Sequence, residues 1–204
     1  MIIDTAFIQP LVGPTLTLSP LREADVEALA ATVADGDLWE STTTVIPHPD
    51  AMGDYVARAL RDVQRERAVP YVIRLAADNR AVGSIRCWKI EHKHRKLEIG
   101  HVWVARSFQR RRVHTEANYL LLREAFDVAG MLRVQYLADE ANDASRRAIA
   151  MLGASEEGIL RNERVMPDGR ARNTVVMSIV AHEWPQRRLA LEQTLNLRDE
   201  QTDR

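Results

Sequence analysis

Apolar and polar residues alternate with two different periods along this chain, and each change of period marks a boundary between predicted elements. Strict alternation, or a short run rich in β-branched residues, predicts a strand. Apolar residues that recur every three or four positions predict an amphipathic helix. The predicted strands cover residues 16–21, 71–75, 82–90, 97–105, 132–138, 155–166 and 172–181, and the predicted helices cover residues 22–34, 50–67, 115–126 and 142–152.

Turn-forming residues separate these elements. Residues 78–80 and the sequence Pro167-Asp168-Gly169 are typical of hairpin turns, and Gly153 suits the end of the helix before it. Residues 36–50 form an irregular loop, whose Trp39 either lines a substrate pocket or belongs to a plain connector. The order of elements predicts an α/β (α+β) fold, with a mixed, mostly antiparallel central sheet and helices on both faces.

Length, charge and cysteine content limit the class of protein. The 204 residues suffice for one packed domain, predicted over residues 1–185, with a polar helical tail over residues 186–204. A formal net charge of −1 argues against general nucleic-acid binding. We expect no membrane span and no export leader, because the chain lacks a long apolar run and a basic start. The single Cys87 fits a reducing compartment, so we expect a cytoplasmic protein.

The most informative segment is a strand, an arginine-rich turn and a helix that follow one another over residues 97–126. Because a helix N-terminus exposes backbone N–H groups, such a turn favours binding of a phosphate or another anion. Thr115 is predicted to cap the helix, with Glu116 in a first turn that favours negative charge. Four arginines in and beside the turn strengthen the prediction of an anion site: Arg106, Arg110, Arg111 and Arg112.

A set of short motifs accompanies this segment. They are Val82-Gly83-Ser84, Glu98-Ile99-Gly100, the turn before Thr115-Glu116-Ala117, Asn142-Asp143-Ala144-Ser145-Arg146-Arg147, Leu152-Gly153, Glu157-Gly158-Ile159-Leu160-Arg161 and Pro167-Asp168-Gly169-Arg170. In this order they resemble the GNAT superfamily of acyl-CoA-dependent N-acetyltransferases. The resemblance is greatest to the branch that includes the RimJ and RimL ribosomal-protein N-terminal acetyltransferases. It covers residues 16–184 and implies the GNAT fold.

The resemblance also implies a site for acetyl-CoA where the central strand splays from its neighbour. Backbone groups near Trp103 and Val104 would contact the pantetheine arm, and the turn after them would wrap the pyrophosphate. The family pattern of this turn is Gln/Arg-x-x-Gly-x-Gly/Ala. The matching residues here are Gln109, Arg110, Arg111, Arg112, Val113 and His114, followed by Thr115.

Larger residues occupy both glycine positions of this pattern, Arg112 and His114. Glycine suits such a turn because it allows close approach of the backbone and unusual dihedral angles. Crowding or strain at Arg112 would cost about 1–3 kcal/mol, whereas its guanidinium would return a comparable amount by binding phosphate. Two outcomes stay open at this point: a retained donor site or a weakened one.

Amine acetylation requires a neutral amine, a polarised thioester carbonyl and a proton for the departing thiolate. Glu98 lies between apolar residues, where burial would raise its pKa to suit a general base; the alternative is a carboxylate paired with a nearby cation. The resemblance implies that Ser145 supplies the proton, although Asn142 and Ser145 also suit helix capping. Asn142 would contact the pantetheine, and Arg147 either reaches a CoA phosphate or lies on the surface.

Other residues are weaker candidates. Glu163 is either a second base or part of a cross-strand salt bridge. His101, which alternation places on the same face as Trp103, is either a proton shuttle or a packed strand residue. Trp88 either lines the acceptor pocket or belongs to the core, and Trp184 is expected to pack against a terminus.

The sequence therefore predicts an enzyme that transfers the acetyl group of acetyl-CoA to a primary amine, either a protein N-terminus or a small amine. The alternative is a non-catalytic binding module with an impaired pyrophosphate turn. Transfer of a longer or acidic acyl group, such as succinyl, is chemically close to the first prediction. We expect no metal, because no further ligands accompany His92 and His94. The resemblance also implies a homodimer.

Overall fold

The computed structural model describes residues 9–197 as a sheet flanked by helices. The strands are β1 (Leu11–Val12), β2 (Leu16–Pro20), β3 (Ala68–Leu75), β4 (Ala81–Glu91), β5 (Lys96–Val104), β6 (Arg133–Asp139), β7 (Ser155–Val165) and β8 (Ala171–Val180). The α-helices are α1 (Val26–Ala34), α2 (Met52–Gln64), α3 (Val113–Arg123), α4 (Asp143–Met151) and α5 (Trp184–Leu195). All predicted strands and helices are present, with shifted bounds, and β1 is too short to produce a readable pattern.

The sheet has the spatial order β1-β2-β3-β4-β5-β6-β8-β7. Within the described range, β5 and β6 are parallel, and each of the other neighbouring pairs is antiparallel. The helix α3 makes the crossover that parallel strands require. The mixed, mostly antiparallel sheet predicted from the sequence is confirmed.

Two hydrophobic clusters place helices on both faces of the sheet. One cluster joins α1 and α2 to Val72 and Trp103. The larger cluster lies on the opposite face and joins α3 and α5 to the sheet through residues such as Leu120, Tyr136 and Leu191. The first face is the one on which the candidate site is found.

The turns have the backbone geometry that their residues favour. Asn79 adopts a left-handed conformation (φ 58°) in the β3–β4 turn, and Gly169 does so (φ 84°) between β7 and β8. Gly153 (φ 91°) ends α4 as predicted. A Cβ at Gly153 would also lie 2.5 Å from the Arg187 side chain, so glycine is required there for space as well.

The predicted cap of α3 at Thr115 is wrong, whereas Glu116 lies in the first turn as expected and also binds a distant segment. The helix begins at Val113 because Arg112 already has helical dihedral angles, and Glu116 N–H donates to Arg112 O at 2.8 Å. Thr115 therefore lies inside the first turn. The Glu116 carboxylate is 1% exposed and accepts hydrogen bonds from the backbone N–H groups of Thr15 (2.9 Å) and Leu16 (3.0 Å) and from the Thr15 hydroxyl.

The predicted C-terminal tail contributes to the core where the structure describes it. The predicted boundary between domain and tail, between residues 185 and 186, lies inside α5. Leu191 and Leu195 of this helix are buried in the larger cluster. The Trp184 ring stacks on Phe126 with centroids 5.3 Å apart, and its Nε1 donates to Asp127 at 2.7 Å. The end of the predicted tail and the start of the chain, to which the export prediction refers, lie outside the described residues.

Across residues 9–197, no helix combines the length and the apolar character needed to cross a membrane.

Candidate functional site

An opening in the sheet lies between β5 and β6. The two strands pair only from Lys96 with Arg133 to Glu98 with Gln135, and no pairing continues beyond this point. From Ile99 onwards, the side of β5 that faces β6 therefore lacks a strand partner. Free backbone donors and acceptors at a strand edge can bind a ligand in the manner of an added strand. The splayed central strand expected from the sequence is present.

The strand β5 bulges beside this opening. Its pairing with β4 shifts between Ser84 with Trp103 and Arg86 with Gly100, so β5 carries one more residue than β4 there. His101 lies in the bulge and has a left-handed backbone (φ 50°).

Glycines allow close packing at both sides of the bulge. A Cβ at Gly83 would lie 2.5 Å from the carbonyl oxygen of Trp103, and a Cβ at Gly100 would lie 3.0 Å from Nε1 of Trp88. The glycines of the Val82-Gly83-Ser84 and Glu98-Ile99-Gly100 motifs are therefore explained by the lack of space for a Cβ.

The backbone groups of Trp103 and Val104 point in opposite directions. Ala105 N–H donates to Val82 O at 2.9 Å, and Trp103 lies directly opposite Ser84, so the backbone groups of Trp103 are directed at β4. Those of Val104 are directed at the opening. Gln109 Nε2 donates to Val104 O at 3.0 Å, so the side chain of the first turn residue already occupies that carbonyl.

The arginine-rich turn connects this strand to α3. Ser107 N–H donates to Asp35 Oδ1 at 3.2 Å, which ties the start of the turn to the end of α1. Arg110 has a left-handed backbone (φ 59°), whereas Arg112 has ordinary helical angles (φ −67°, ψ −7°). Arg112 Nη1 also donates to Leu195 O at 3.3 Å in the last turn of α5. The backbone therefore does not require glycine at Arg112; its strained position is Arg110.

The remaining residues of the turn pattern form the first turn of α3. Val113 is buried, and His114 and Thr115 are half-buried. Asn118 Nδ2 donates to His114 O at 2.8 Å and lies 3.3 Å from the His114 ring. Burial lowers the pKa of His114 to about 4, so this ring is neutral near pH 7 and adds no charge to the anion seat.

Glu98 has the cation partner expected of one interpretation and the raised pKa expected of the other. It is 3% exposed, and its carboxylate accepts hydrogen bonds from Lys89 Nζ at 3.0 Å and Gln135 Nε2 at 3.4 Å. Burial raises the pKa of Glu98, and the contacts with Lys89 and Gln135 oppose this only in part. A carboxylate that lies beside the opening and has a raised pKa can accept a proton from a ligand.

Asn142 and Ser145 form the N-terminus of α4. Asn142 Oδ1 accepts a hydrogen bond from Ser145 N–H at 3.0 Å, which is the capping arrangement that the sequence predicts. Within residues 9–197, no group hydrogen-bonds the half-buried Ser145 hydroxyl. Arg147 is exposed on α4.

The irregular loop over residues 36–50 is tied to the far end of β6. Asn142 Nδ2 donates to Thr44 Oγ1 at 3.2 Å, and Arg170 Nη2 donates both to Thr42 O at 3.0 Å and to Asp139 at 2.6 Å. Burial alone would raise the pKa of Asp139, but the contacts with Arg170 and the Ala141 N–H lower it below the ordinary range. The loop thus borders the site through fixed contacts.

The weaker candidates lie on the same side of the sheet. Glu163 pairs with its neighbour Arg164 at 2.7 Å and accepts a cross-strand hydrogen bond from Thr174, which lowers its pKa. The His101 ring lies 4.9 Å from the Trp88 ring. The pKa of His101 is lowered to about 4, first because neighbouring groups remove the ring from water and then because Arg86, Arg164 and Lys89 are positively charged.

Trp39 and the histidine turn have local partners. The half-buried Trp39 packs edge to face against His48 with ring centroids 4.8 Å apart. His92 and His94 form a single 3₁₀ turn. In the part of the chain that the structure describes, no group of three or more potential metal ligands is assembled.

Sequence reasoning missed Tyr55, Arg86 and Arg172 on the face that carries Glu98, and it missed the buried side-chain donor of Trp103. Tyr55 Oη, Arg86 Nε, Trp103 Nε1 and Arg172 Nε are buried without a hydrogen-bond partner. Arg172 gave no signal of its burial in the sequence, because it has the opposite alternation parity to the apolar core positions Val175, Met177 and Ile179 of β8. The partners of Glu98 could not be recognised either, because they depend on the register between strands.

Comparison with known proteins identifies the class to which this arrangement belongs. Residues 15–155 match the family described as the acetyltransferase (GNAT) domain. The chain therefore belongs to the GNAT acetyltransferase family.

Individual relatives agree with this assignment. A crystal structure of a proposed acetyltransferase from T. thermophilus has a TM-score of 0.79 and 32% identity, and covers 91% of this chain and 96% of its own. RimJ from Mycobacterium smegmatis, in complex with CoA-disulfide, has a TM-score of 0.76 and 25% identity, covering 92% and 93%. YdaF of Bacillus subtilis, a proposed ribosomal N-acetyltransferase, is 30% identical over 110 residues, which are 54% of this chain and 59% of that relative. The GNAT fold and the RimJ-like branch are confirmed.

Proposed function

We propose that this protein transfers an acetyl group from acetyl-CoA to a primary amine. The observation that carries the proposal is the opening between β5 and β6, with the buried carboxylate of Glu98 at its closed end and the N-terminus of α3 beyond its wide end. The extended arm of the acyl donor can bind along the unpaired strand edge, and its phosphates can bind at the helix N-terminus. The base can accept the proton that the amine loses.

The residues present fit the acyl donor. Val104 N–H faces the opening, where it can bind the extended arm, with Asn142 at the opposite wall. The expected contact through the Trp103 backbone is not part of this proposal, because those groups are directed at β4. Residues Gln109, Arg110, Arg111, Arg112, Val113, His114 and Thr115 surround the seat for the pyrophosphate, with Arg147 as a further candidate ligand for a CoA phosphate. The exposed arginines supply positive charge there, and Gln109 fixes the turn to the strand. When bound, acetyl-CoA supplies an activated acyl thioester.

Two side chains would move the protons of the reaction. The Glu98 carboxylate, with its raised pKa, would take a proton from the acceptor nitrogen, either from the ammonium before the neutral amine attacks or from the amine as it attacks, directly or through a water molecule. Ser145 Oγ, held by the capped start of α4, would provide a proton to the leaving group. Backbone N–H groups of β5 that face the opening would stabilise negative charge on the acyl oxygen.

We propose two classes of acceptor for the acetyl group. The relative YdaF is a proposed ribosomal N-acetyltransferase, which supports a protein N-terminus as one acceptor class. A small amine is the second class, supported by the similarity to the spermidine N(1)-acetyltransferase of Escherichia coli, which is 24% identical over 133 residues.

The alternative of a non-catalytic module is tested first by binding. Calorimetry with the full chain is expected to show saturable binding of acetyl-CoA, and a mass-spectrometric assay is expected to show acetylation of at least one amine in a panel of peptides and small amines. Kinetics with succinyl-CoA in parallel would identify the preferred acyl group. A folded protein that binds no CoA at millimolar concentration would refute the proposed enzyme and favour the module.

Glycine substitutions in the turn have opposite expected effects. Arg112→Gly removes the contact with Leu195 and adds backbone freedom, so we expect a loss of about 1 kcal/mol in stability and an acetyl-CoA Kd raised about threefold to tenfold. Arg110→Gly relieves a left-handed backbone, so we expect stability to rise by about 1 kcal/mol. Thermal unfolding and calorimetry measure both effects. Tighter acetyl-CoA binding by Arg112→Gly would instead show that arginine impairs the turn.

A further inference from the structure

Arg172 on β8 is a buried cation without an ion pair. It is 8% exposed, and its Nε is buried with no hydrogen-bond partner. Among residues 9–197, no carboxylate lies within salt-bridge distance of its guanidinium. Three other arginines of the same region are paired: Arg86 with Asp62 at 3.8 Å, Arg164 with Glu163 at 2.7 Å and Arg170 with Asp139 at 2.6 Å.

A second observation makes this isolation costly. Arg164 of β7 lies directly opposite Arg172 in the register of the hairpin. Like charges at directly opposite positions of two strands destabilise a sheet. A buried charge that lacks a partner is also unfavourable, because desolvation is not offset. An anion beside the Arg172 guanidinium would offset its desolvation and reduce its repulsion with Arg164, whose own charge is paired with Glu163.

The electrostatic surroundings of Arg172 agree with this reading. Burial lowers the pKa of Arg172, and the charge of Arg164 lowers it further, while Asp139 and Glu163 oppose the shift without preventing it. The two carboxylates are themselves engaged, one by Arg170 and the other by Arg164. Neither is therefore free to serve as the missing counter-ion.

The register of the sheet places Arg172 on the face that carries Glu98. Glu98 lies opposite Gln135, and Gln135 lies opposite Ser178, so the three side chains share one face. Arg172 has the same alternation parity on β8 as Ser178, and the pairing of β8 with β6 runs without a register shift from Ser178 to Thr174, two residues before Arg172. Arg164 is also close enough to Glu98 for the two charges to influence each other. The anion site therefore lies on the side of the opening that holds the proposed base.

The donor site does not account for Arg172. The proposed pyrophosphate seat is formed by the turn after β5 and the first turn of α3, and Arg112 there contacts α5 on the opposite face. The groups that influence the charge of Arg172 all belong to the end of β6 and the β7–β8 hairpin: Asp139, Glu163, Arg164 and Arg170.

We propose that Arg172, with Arg164 opposite it, binds a carboxylate of the acceptor, so that the preferred amine carries an anionic group near its nitrogen. The inference rests on the proposed function, since it assigns the acceptor of that same site. Arginine suits the role because its planar guanidinium binds a carboxylate through two parallel hydrogen bonds. The carboxylate can belong to a free amino acid or to an acidic residue next to a peptide N-terminus.

Matched acceptor pairs test the proposal. The first pair is glycine and glycinamide; the second is the peptide amides Ser-Asp and Ser-Asn. For the wild-type protein we expect kcat/KM to be about tenfold higher for the carboxylate member of at least one pair, and the pair that responds identifies the source of the carboxylate. Arg172→Gln is expected to abolish this preference through KM, with an unchanged Kd for acetyl-CoA. Arg161→Gln, on the exposed face of β7, is the matched control and should keep the preference.

The outcomes distinguish failure of the proposed carboxylate site from failure of the proposed enzyme. An equal preference in wild type and Arg172→Gln overturns the proposal, as does a variant whose main change is weaker acetyl-CoA binding. If Arg172→Gln does not fold, the same kinetics are measured with Arg172→Lys and Arg164→Gln instead. Both variants should lower the preference for the carboxylate acceptor. If the folded wild-type protein acetylates no amine, the proposed function fails. Calorimetry with N-acetylglycine and N-acetylglycinamide then still tests Arg172, since only the first should bind, and only with Arg172 present.

Discussion

Replacing Glu98 by glutamine is expected to lower kcat for acetyl transfer by about 10²-fold or more, with little change in the Kd for acetyl-CoA. Glutamine keeps the size of the side chain and can still accept a hydrogen bond from Lys89, but it cannot take a proton. The loss should therefore fall on the chemical step. Steady-state kinetics and calorimetry on the same preparation measure the two quantities.

The same hairpin offers a matched control. Glu91 at the end of β4 pairs with Lys96 at 3.0 Å, as Glu98 pairs with Lys89 at 3.0 Å, but the Glu91 pair is exposed and lies away from the opening. Glu91→Gln should leave kcat within about twofold of wild type, because an exposed ion pair contributes little. A kcat of Glu98→Gln equal to that of wild type would show that Glu98 is only a structural carboxylate.

The raised pKa of Glu98 gives both activity and stability a pH dependence of known sign. Activity should rise with pH as Glu98 loses its proton, and Glu98→Gln should lack this limb. The folded state holds the proton more tightly than the unfolded state. The stabilisation from Glu98 is therefore complete below its ordinary pKa and is lost as pH rises through the raised value. Denaturant unfolding of both proteins from pH 4 to pH 8 should show wild type losing stability relative to the variant.

Replacing Glu116 by alanine is expected to lower the free energy of unfolding by about 3 kcal/mol, or the Tm by roughly 6–12 °C. The substitution leaves three donors without their acceptor: the buried backbone N–H of Leu16, and the backbone N–H and hydroxyl of Thr15, whose contacts are partly buried. A cavity is left as well. A Cβ at Gly13 would lie 2.5 Å from Glu116 Oε1, so the β1–β2 turn is built around this carboxylate.

Two further variants separate the buried contacts from the charge. Glu116→Gln keeps an acceptor for the backbone groups and should cost about 1 kcal/mol, less than the alanine variant. Glu27→Ala on the exposed side of α1 should change stability by less than about 0.5 kcal/mol. Thermal unfolding by circular dichroism measures all three proteins. An alanine variant as stable as Glu27→Ala would contradict the assignment.

Hydrophobic period and turn chemistry were sufficient to predict the order of elements. The strands and helices of the middle of the chain follow from local spacing, and the residues at Asn79, Gly153 and Gly169 mark turns because their backbone conformations are favoured in few residue types. The cap at Thr115 was predicted incorrectly for the same local reason. Threonine is a good capping residue, but the helix starts as soon as the chain takes helical angles at Arg112.

The arginine-rich turn shows where a motif comparison is insufficient. A glycine pattern indicated strain at Arg112, whereas the left-handed residue of the turn is Arg110. Which residue of a turn carries the unusual angle depends on how the flanking strand and helix are anchored. Here Gln109 binds Val104 and Arg112 binds the end of α5, and neither contact can be read from the spacing of residues.

The sequence by itself determined the class of fold, the family resemblance and the position of the arginine-rich turn, because these depend on local periodicity and on short contiguous motifs. The tertiary structure alone decided which charges lie together. Lys89 and Gln135 reach Glu98, Thr15 reaches Glu116, and Arg164 faces Arg172, only because strand register and helix packing bring distant segments within hydrogen-bond distance. The energy of burying a charge depends on those distant partners, so the partners of the proposed base and the whole of the proposed acceptor site became visible only in the folded chain.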